Sequence, residues 1–318
     1  MHDLDIIVAG DVNLDIIPSS FNGVPKMGQE LFVDSMAVTI GGSAANTAIG
    51  LAKLGLKVAL FSVVSDDQFG RYIMEELEGA GVSTSLMEVT SEANTGISIC
   101  LTSGKDRAFI SYMGNNNLYQ PEKLLEKKLN TRHIHVAGFN WQNLIDGYVH
   151  LVTELKTKGL SVSLDVGYDD YEQYWDKMHR ILAGINLFFP NETEARKLTG
   201  EKDVYKALDK LSAVVPVAVI TRGSMGAIAK DQGQIWHQPA FKVDAVDAVG
   251  AGDAFDAGFL YGYLRDLSTS QCLKLGSACG AMAASSYGGG AAAPGIAELE
   301  DFLIKHCGKS EALKSEVG

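Results

Sequence analysis

Several common binding signatures are missing from this sequence, and each absence removes a class of function. No Gly-x-x-x-x-Gly-Lys-Ser/Thr run occurs, because Gly308-Lys309-Ser310 is preceded by Leu303 where the first glycine is required. A Walker-type phosphate loop is therefore excluded. A Gly-x-Gly-x-x-Gly dinucleotide fingerprint fails at Gly250 because position 255 is Phe, which argues against a nicotinamide- or flavin-dependent oxidoreductase. The four cysteines (Cys100, Cys272, Cys279, Cys307) form no Cys-x-x-Cys pair, so neither a metal cluster nor a disulfide framework is implied, and reduced thiols of a cytoplasmic protein are expected. Basic residues are few: 27 Lys and Arg against 39 Asp and Glu leave a net charge of −12. Nucleic acid and anionic membrane surfaces are poor partners for such a chain. Phosphate sites built locally from backbone are unaffected. No apolar run approaches the ~20 residues of a membrane span, and the acidic start Met1-His2-Asp3-Leu4-Asp5 does not read as a signal peptide.

What is present is an ordinary globular composition, 46% apolar and 21% charged over 318 residues, enough for one large α/β domain or two smaller ones. The chain is organised around residues 245–256, A-V-D-A-V-G-A-G-D-A-F-D. Gly250, Ala251 and Gly252 place bare backbone at the start of an apolar helix, where N–H groups lack intrahelical partners and the dipole is positive. An anion is favoured there. Asp253 opposes anion binding unless it accepts a proton from an attacking hydroxyl. The alternative is a tight turn with an ordinary capping Asp.

Elsewhere, Leu4–Ala9 reads as a first strand delivering Asp11, Asn13 and Asp15 past its C-terminal end, where open α/β sheets bind ligands. Residues 31–40 look β-like and lead into Gly41-Gly42-Ser43-Ala44-Ala45-Asn46 and a helix to Leu54. Asp66 is placed to cap the helix carrying Phe69, Ile73 and Leu77. Segments 97–102 and 107–113 flank a polar turn and predict a hairpin, which with 31–40 would form a small sheet over a pocket. From Ile134 onward strands and helices alternate, the pattern of a parallel sheet covered on both faces. His133 and His135 share a strand face, but no third metal ligand is visible nearby. Asn191-Glu192-Thr193-Glu194 opens a helix and can either hold Mg²⁺ waters or complement the helix dipole. Thr221-Arg222-Gly223-Ser224-Met225-Gly226 suits a turn beside a nucleotide phosphate.

Four motifs in this order, G-G-S-A-A-N-T-A-I-G-L-A-K-L-G, P-N-E-T-E-A-R-K-L-T-G, T-R-G-S-M-G and D-A-V-G-A-G-D-A-F-D-A-G-F, resemble the ribokinase-like (PfkB) carbohydrate kinase family from Leu4 to about residue 306. The resemblance implies a three-layer α/β/α core with a mainly parallel sheet (1–12, 41–94 and 115–318) and a small β-lid (13–40 and 95–114). It implies an ATP-dependent kinase, often a homodimer through the lid. Residue by residue, it implies Asp253 as catalytic base and the amides of Gly250, Ala251 and Gly252 as an anion hole. Asn13, Asp15, Gly41, Gly42 and Asn46 would bind the sugar, and Thr221, Gly223, Gly226 and Asn191 the nucleotide. Glu194 would act on Mg²⁺ through water, and Asp247 matches a position linked to activation by a monovalent cation such as K⁺ in some members. Ser43 stands where some relatives have Lys, which favours an unphosphorylated sugar. Asp165-Val166-Gly167 departs from a D-P-N-x-R turn found in several hexose and keto-acid sugar kinases. A nucleoside kinase of the same family and a non-catalytic sugar sensor are the alternatives.

Overall fold

The computed structural model describes residues 2–19, 23, 25–103, 106–138, 141–167, 175–246, 249–286 and 292–308. In chain order the strands are β1 (Ile6–Gly10), β2 (Asn13–Pro18), β3 (Met36–Gly41), β4 (Val58–Phe61), β5 (Val63–Ser65), β6 (Val82–Ser83), β7 (Glu88–Thr90), β8 (Ile97–Ser103), β9 (Asp106–Tyr112), β10 (His133–Ala137), β11 (Ser161–Asp165), β12 (Leu187–Phe189), β13 (Val217–Thr221), β14 (Ala227–Asp231) and β15 (Gln234–Gln238). The helices are α1 (Ser43–Lys53), α2 (Gln68–Gly79), α3 (Trp141–Thr157), α4 (Trp175–Leu182), α5 (Glu192–Thr199), α6 (Val204–Ser212), α7 (Ala251–Tyr263), α8 (Thr269–Ala284) and α9 (Ile296–Cys307). No helix among the described residues is long and apolar enough to cross a membrane.

Nine strands form one sheet in the order β15-β14-β13-β12-β11-β10-β1-β4-β6. Pairing is parallel from β6 to β13 and antiparallel through β14 and β15. Strand alternation sorts the core into two layers. Ile6 and Val8 point to the layer that holds α1, α7, α8 and α9, while Ile7 and Ala9 point to the layer with α3 and α6. Both faces are buried, so β1 is apolar throughout, as a central parallel strand must be. The strand order reverses at β1, whose neighbours are β4 and β10, and such a switch point opens a crevice at the C-terminal ends of the strands. Those ends carry Asp11, Asp165, Asn191 and Thr221.

A second sheet, β3-β2-β8-β9, rises from the exits of β1 and the entry of α1. The hairpin and the strand before Gly41 are as expected, but strand structure begins only at Met36. Ladder pairing ends at Pro18 opposite Met36, and beyond it the Ser19 hydroxyl accepts from the N–H groups of Asp34 and Ser35. The Ser19 N–H still donates to the Ser35 carbonyl, but the Asp34 and Ser35 N–H groups are taken by a side chain instead of a ladder. Helix α2 is capped by Asp67 rather than Asp66. The Asp66 N–H still donates to Thr90 and extends the β5–β7 ladder, so the chain turns one residue later, where Asp67 Oδ1 accepts from Gly70 N at 2.8 Å. Although burial opposes it, hydrogen bonds from Thr95 and Gly70 hold the Asp67 carboxyl below its usual range.

Small residues set the position of α7. A Cβ at Gly258 would lie 2.7 Å from the Leu275 carbonyl of α8, and one at Gly50 of α1 would lie 2.9 Å from the Ala257 Cβ. Close approach on two sides fixes where the helix begins, and with it Asp253. Replacing Gly258 by Leu forces a side chain against a backbone carbonyl, and a loss of about 3 kcal/mol is expected from such overpacking, measurable as a lowered urea midpoint with unchanged slope.

Candidate active site

Helix α7 starts from Gly250, whose φ of 74° is left-handed, and no side chain caps the helix. The first-turn N–H groups therefore have no intrahelical acceptor and no side-chain acceptor. Helix α1 begins in a similar way: Gly42 has φ 97°, without a side-chain cap, and its Cβ position lies 2.8 Å from the Asp11 carbonyl oxygen. Both positions require glycine. These two starts lie side by side, so side chains from the first turns of α1 meet Asp253. Ser43 Oγ donates to Asp253 Oδ1 at 2.5 Å and Asn46 Nδ2 donates to Oδ2 at 2.9 Å. Burial raises the Asp253 carboxyl to about 6, against the lowering effect of those two donors.

On the β2 side, Asn13 Nδ2 donates to Asp15 Oδ1 at 2.5 Å. Gly41, opposite Asn13 in the β2–β3 ladder, leaves the space that Asp15 fills: a Cβ there would sit 2.1 Å from Asp15 Oδ1. Asp11 Oδ1 accepts from Ala44 N at 3.2 Å, tying β1 to the start of α1. Burial raises Asp15 to about 6 and Asp11 to about 7, and the charge of Asp253 adds to both. Asn13, Asp15, Gly41, Gly42, Asn46 and Asp253 are thus brought together as the sequence predicted. Asp11 and Ser43 join them. The signal for Ser43 was its place directly after the double glycine, in a first turn that faces α7.

Beyond Gly252 lies a cavity of about 220 Å³ whose lining includes Asp165, Asn191, Glu194, Thr221, Gly252 and Asp256. Asn191 and Glu194 also form a reciprocal cap on α5: Asn191 N donates to Glu194 Oε2 at 2.7 Å, and Glu194 N donates to Asn191 Oδ1 at 3.0 Å. The residues that cap the helix also wall the cavity. Glu192 does not face it, being paired with Arg222 at 2.9 Å and with Arg196. That ion pair also removes Arg222 as a free phosphate ligand. Gly223 and Gly226 bracket the turn after β13 with φ of 53° and 88°, next to the cavity residue Thr221 but outside its lining. Asp247 lies outside the described residues.

Three carboxylates in the cavity are raised, chiefly by burial. Glu194 reaches about 7, while Asp165 and Asp256 are pushed well above the usual range by burial and by the charges of Glu194 and Asp253, with Asp165 adding to the effect on Asp256. Asp165 and Asp256 were not singled out from sequence. A strand-end Asp and an Asp one turn after Asp253 carry no signal until the sheet register sets them face to face. No group of three His, Cys, Asp or Glu among the described residues is placed to hold a metal directly. The oxygen-rich wall suits a hard cation held through water and substrate oxygens instead.

Residues 4–295 match the model of the pfkB family carbohydrate kinases. The chain belongs to this family. Among pfkB relatives, an ATP-dependent ribose-1-phosphate kinase of Halopiger xanaduensis is 30% identical over 291 residues, covering 89% of this chain and 93% of the relative. A deoxyribokinase of Salmonella typhi is 26% identical, covering 94% and 99%. In structure, the Arabidopsis thaliana ribokinase solved with ribose and ATP superposes with a TM-score of 0.81 at 23% identity, over 94% of this chain and 98% of the other. The pfkB assignment and the mainly parallel core with its smaller sheet agree with the sequence reading.

Clustering carboxylates without cations has a measurable cost. Asp11 binds its proton more tightly in the folded than in the unfolded chain, so the folded state loses stability as pH rises from about 4 through about 7. Asp11→Asn keeps the acceptor for Ala44 N and removes the charge. Its melting temperature is expected to exceed that of the unmodified protein at pH 8, by a stabilisation of at least ~1 kcal/mol, and the difference should vanish near pH 4.

Proposed function

We propose that the protein transfers the γ-phosphoryl group of ATP to a hydroxyl of an unphosphorylated sugar, with Asp253 as general base. One observation carries the reading: a carboxylate raised to about 6 stands in the first turn of an uncapped helix, between a polar pocket and an open cavity. A group with that affinity is ionised at neutral pH yet basic enough to take a hydroxyl proton in the transition state. Ser43 and Asn46 hold its two oxygens, which fixes the direction from which the hydroxyl must approach.

Asn13 and Asp15 present an amide and a carboxylate to the sugar hydroxyls, and Asn46 and the Gly41-Gly42 backbone complete that wall. No described Lys or Arg pairs with Asp11, Asp15 or Asp253, so a phosphate on the sugar would meet negative charge there. This favours an unphosphorylated sugar over a sugar phosphate such as the one named in the Halopiger relative. The amides of Gly250, Ala251 and Gly252 receive the transferring phosphoryl group. A Cβ at Gly252 would meet nothing within 4 Å, so packing does not explain this glycine, and access for a phosphate does. Thr221, with the Gly223 and Gly226 turn beyond it, borders the nucleotide. Asn191 and Glu194 would hold Mg²⁺ through water. Bound there, Mg²⁺ neutralises phosphate charge and orients the terminal phosphate. Asp247 would serve K⁺ where a monovalent cation activates.

The small sheet, within 13–40 and 95–114, acts as the lid of the core formed by 1–12, 41–94 and 115–318, and excludes water from the transfer. Phe109 and Ile110 are exposed at 55% and 60%. Successive strand residues face opposite sides, so the edge strand is apolar on both faces. One face covers the sugar and the other meets a second copy in a homodimer. The reduced thiols and acidic surface fit a cytoplasmic enzyme.

Asp253→Asn is expected to lower kcat by about 10²–10⁴-fold while leaving sugar and ATP affinity within a few-fold, assayed as ADP release from ATP and Mg²⁺ across a panel of sugars and nucleosides. In the unmodified enzyme kcat should rise with pH around a midpoint near 6, as Asp253 ionises; turnover that persists in the variant refutes the assignment. A second outcome concerns assembly: Phe109→Glu with Ile110→Glu should halve the mass seen by light scattering.

A further inference from the structure

The chain passes between the core and the small sheet at the β1–β2 connection, the return from β3 to α1, the entry to β8 and the exit from β9. Two adjacent asparagines gather these crossings. Asn115 and Asn116 lie in the short 3₁₀ turn Gly114–Leu118 that follows β9, and both are buried. Asn116 holds Val12 through both of its backbone groups: Oδ1 accepts from Val12 N at 3.4 Å, and Nδ2 donates to Val12 O at 3.0 Å. Val12 is buried and falls between the ladders of β1 and β2, which end at Gly10 and begin at Asn13. A buried peptide group outside a ladder needs another partner, and the Asn116 amide supplies it. Asn115 faces the other way, onto the core. Its Oδ1 accepts from Gly96 N at 2.7 Å, and its Nδ2 donates to the Val63 carbonyl of β5 at 2.6 Å. Beside it Thr95 donates to Asp67 at the start of α2, from N at 2.8 Å and from Oγ1 at 2.6 Å.

The two bonds of Asn116 act on different peptide planes. Val12 N–H belongs to the plane shared with Asp11, and the Val12 carbonyl to the plane shared with Asn13. Holding both planes sets how the chain leaves Asp11 and the direction in which Asn13 enters β2. Asp15, two residues on, shares the side of Asn13 and accepts from its amide, so its place follows. A primary amide suits this task because it offers a donor and an acceptor in one plane. An ionised carboxylate has no donor, and a hydroxyl has one oxygen where two atoms are needed. Space for the amide comes from Gly96, where a Cβ would sit 2.9 Å from Asn116 Nδ2. From the other side Gly42 closes on the same residue, its Cβ position lying 2.9 Å from Val12 Cα. Val12 is thus clasped between the hairpin exit and the double glycine.

We propose that Asn116 is a positioning residue for the sugar wall, setting Asn13 and Asp15 through the backbone of Val12, with Asn115 as its anchor to the core. The bonds of Asn115, Asn116 and Thr95 all lie at the base of the small sheet. Its far end, at the start of β3 and the β8–β9 turn, can swing about that base while the wall bearing Asn13 and Asp15 stays with the core. A wall held in its binding geometry before the sugar arrives costs less to order on binding. Asp253 and the Gly250–Gly252 amides belong to α7 and take no support from Asn116, so its loss should weaken sugar binding and spare the nucleotide. That use rests on the kinase reading; the hold on Val12 does not.

The test compares the ¹⁵N-labelled full chain, its Asn116→Ala variant and a control, Leu182→Ala. Leu182 is fully buried at the end of α4, which leads to the N-terminal end of β12, away from the crevice; its loss lowers stability without reaching Val12. In the unmodified protein the Val12 amide is expected to exchange with deuterium as slowly as the amides of β1. Asn116→Ala should speed Val12 about tenfold relative to β1, whereas Leu182→Ala should speed both alike. The Asn13 side-chain amide signal should move in Asn116→Ala and stay in place in the control. With D-ribose as the probe sugar, Asn116→Ala should raise the KM for ribose about tenfold, with kcat and the KM for ATP within about threefold; the control should change neither KM. An Asn13 signal unmoved by Asn116→Ala, or equal losses for ribose and ATP, would overturn the proposal. So would a Val12 amide that exchanges at loop rates in the unmodified protein, a result that needs no variant to fold. Absence of ADP release from every sugar would refute the kinase reading, and the exchange and Asn13 signals would still decide this one.

Discussion

Everything in this structure depends on two helix starts brought into contact, each too bare to cap itself. Glycine at Gly42 and Gly250 denies α1 and α7 a side-chain cap, which leaves positive backbone ends facing the crevice above β1. A carboxylate beside such ends is favoured by the dipole but opposed by burial, and for Asp253 burial is the larger effect, since its proton affinity rises. Ser43 and Asn46 moderate that rise. The resulting group is neither a spectator carboxylate with its charge fully stabilised nor one that stays protonated at neutral pH. That intermediate state is what base catalysis on a hydroxyl requires. The helix packing that fixes it, through Gly50 and Gly258, belongs to the site as much as Asp253 does.

Much of this was legible in the sequence because it is encoded locally. The strand–glycine–helix transitions at 41–46 and 250–253 are short, and each specifies its own backbone. The Asn191/Glu194 spacing encodes a reciprocal cap that any helix start of that composition would make. Parallel-sheet architecture followed from apolar runs alternating with amphipathic ones. What was hidden depends on register and on tertiary contact. Asp165, Asp256 and His135 become neighbours only when β10 and β11 align and α7 crosses above them. The ion pair between Arg222, in the turn after β13, and Glu192 likewise appears only in the fold. The cap of α2 moved by one residue because a two-stranded ladder claimed the Asp66 N–H first, a competition that local preference cannot see.

The two halves of the crevice differ in how they meet negative charge. On the β2 side the carboxylates Asp11, Asp15 and Asp253 stand with amides and a hydroxyl, and no cation among the described residues offsets them. Such a surface is complementary to hydroxyl groups, which donate to carboxylates, and hostile to a second phosphate. On the cavity side burial and neighbouring carboxylates raise the proton affinity of Asp165, Glu194 and Asp256. Since a protonated carboxyl can donate a hydrogen bond, this wall can accept an anion that the β2 side would repel.

An acidic protein that binds polyphosphate must therefore solve a local problem rather than a global one. Net charge of −12 acts over the whole surface and is screened by salt, whereas charges on the buried cavity wall act at short range, in a low-dielectric neighbourhood where they are screened much less.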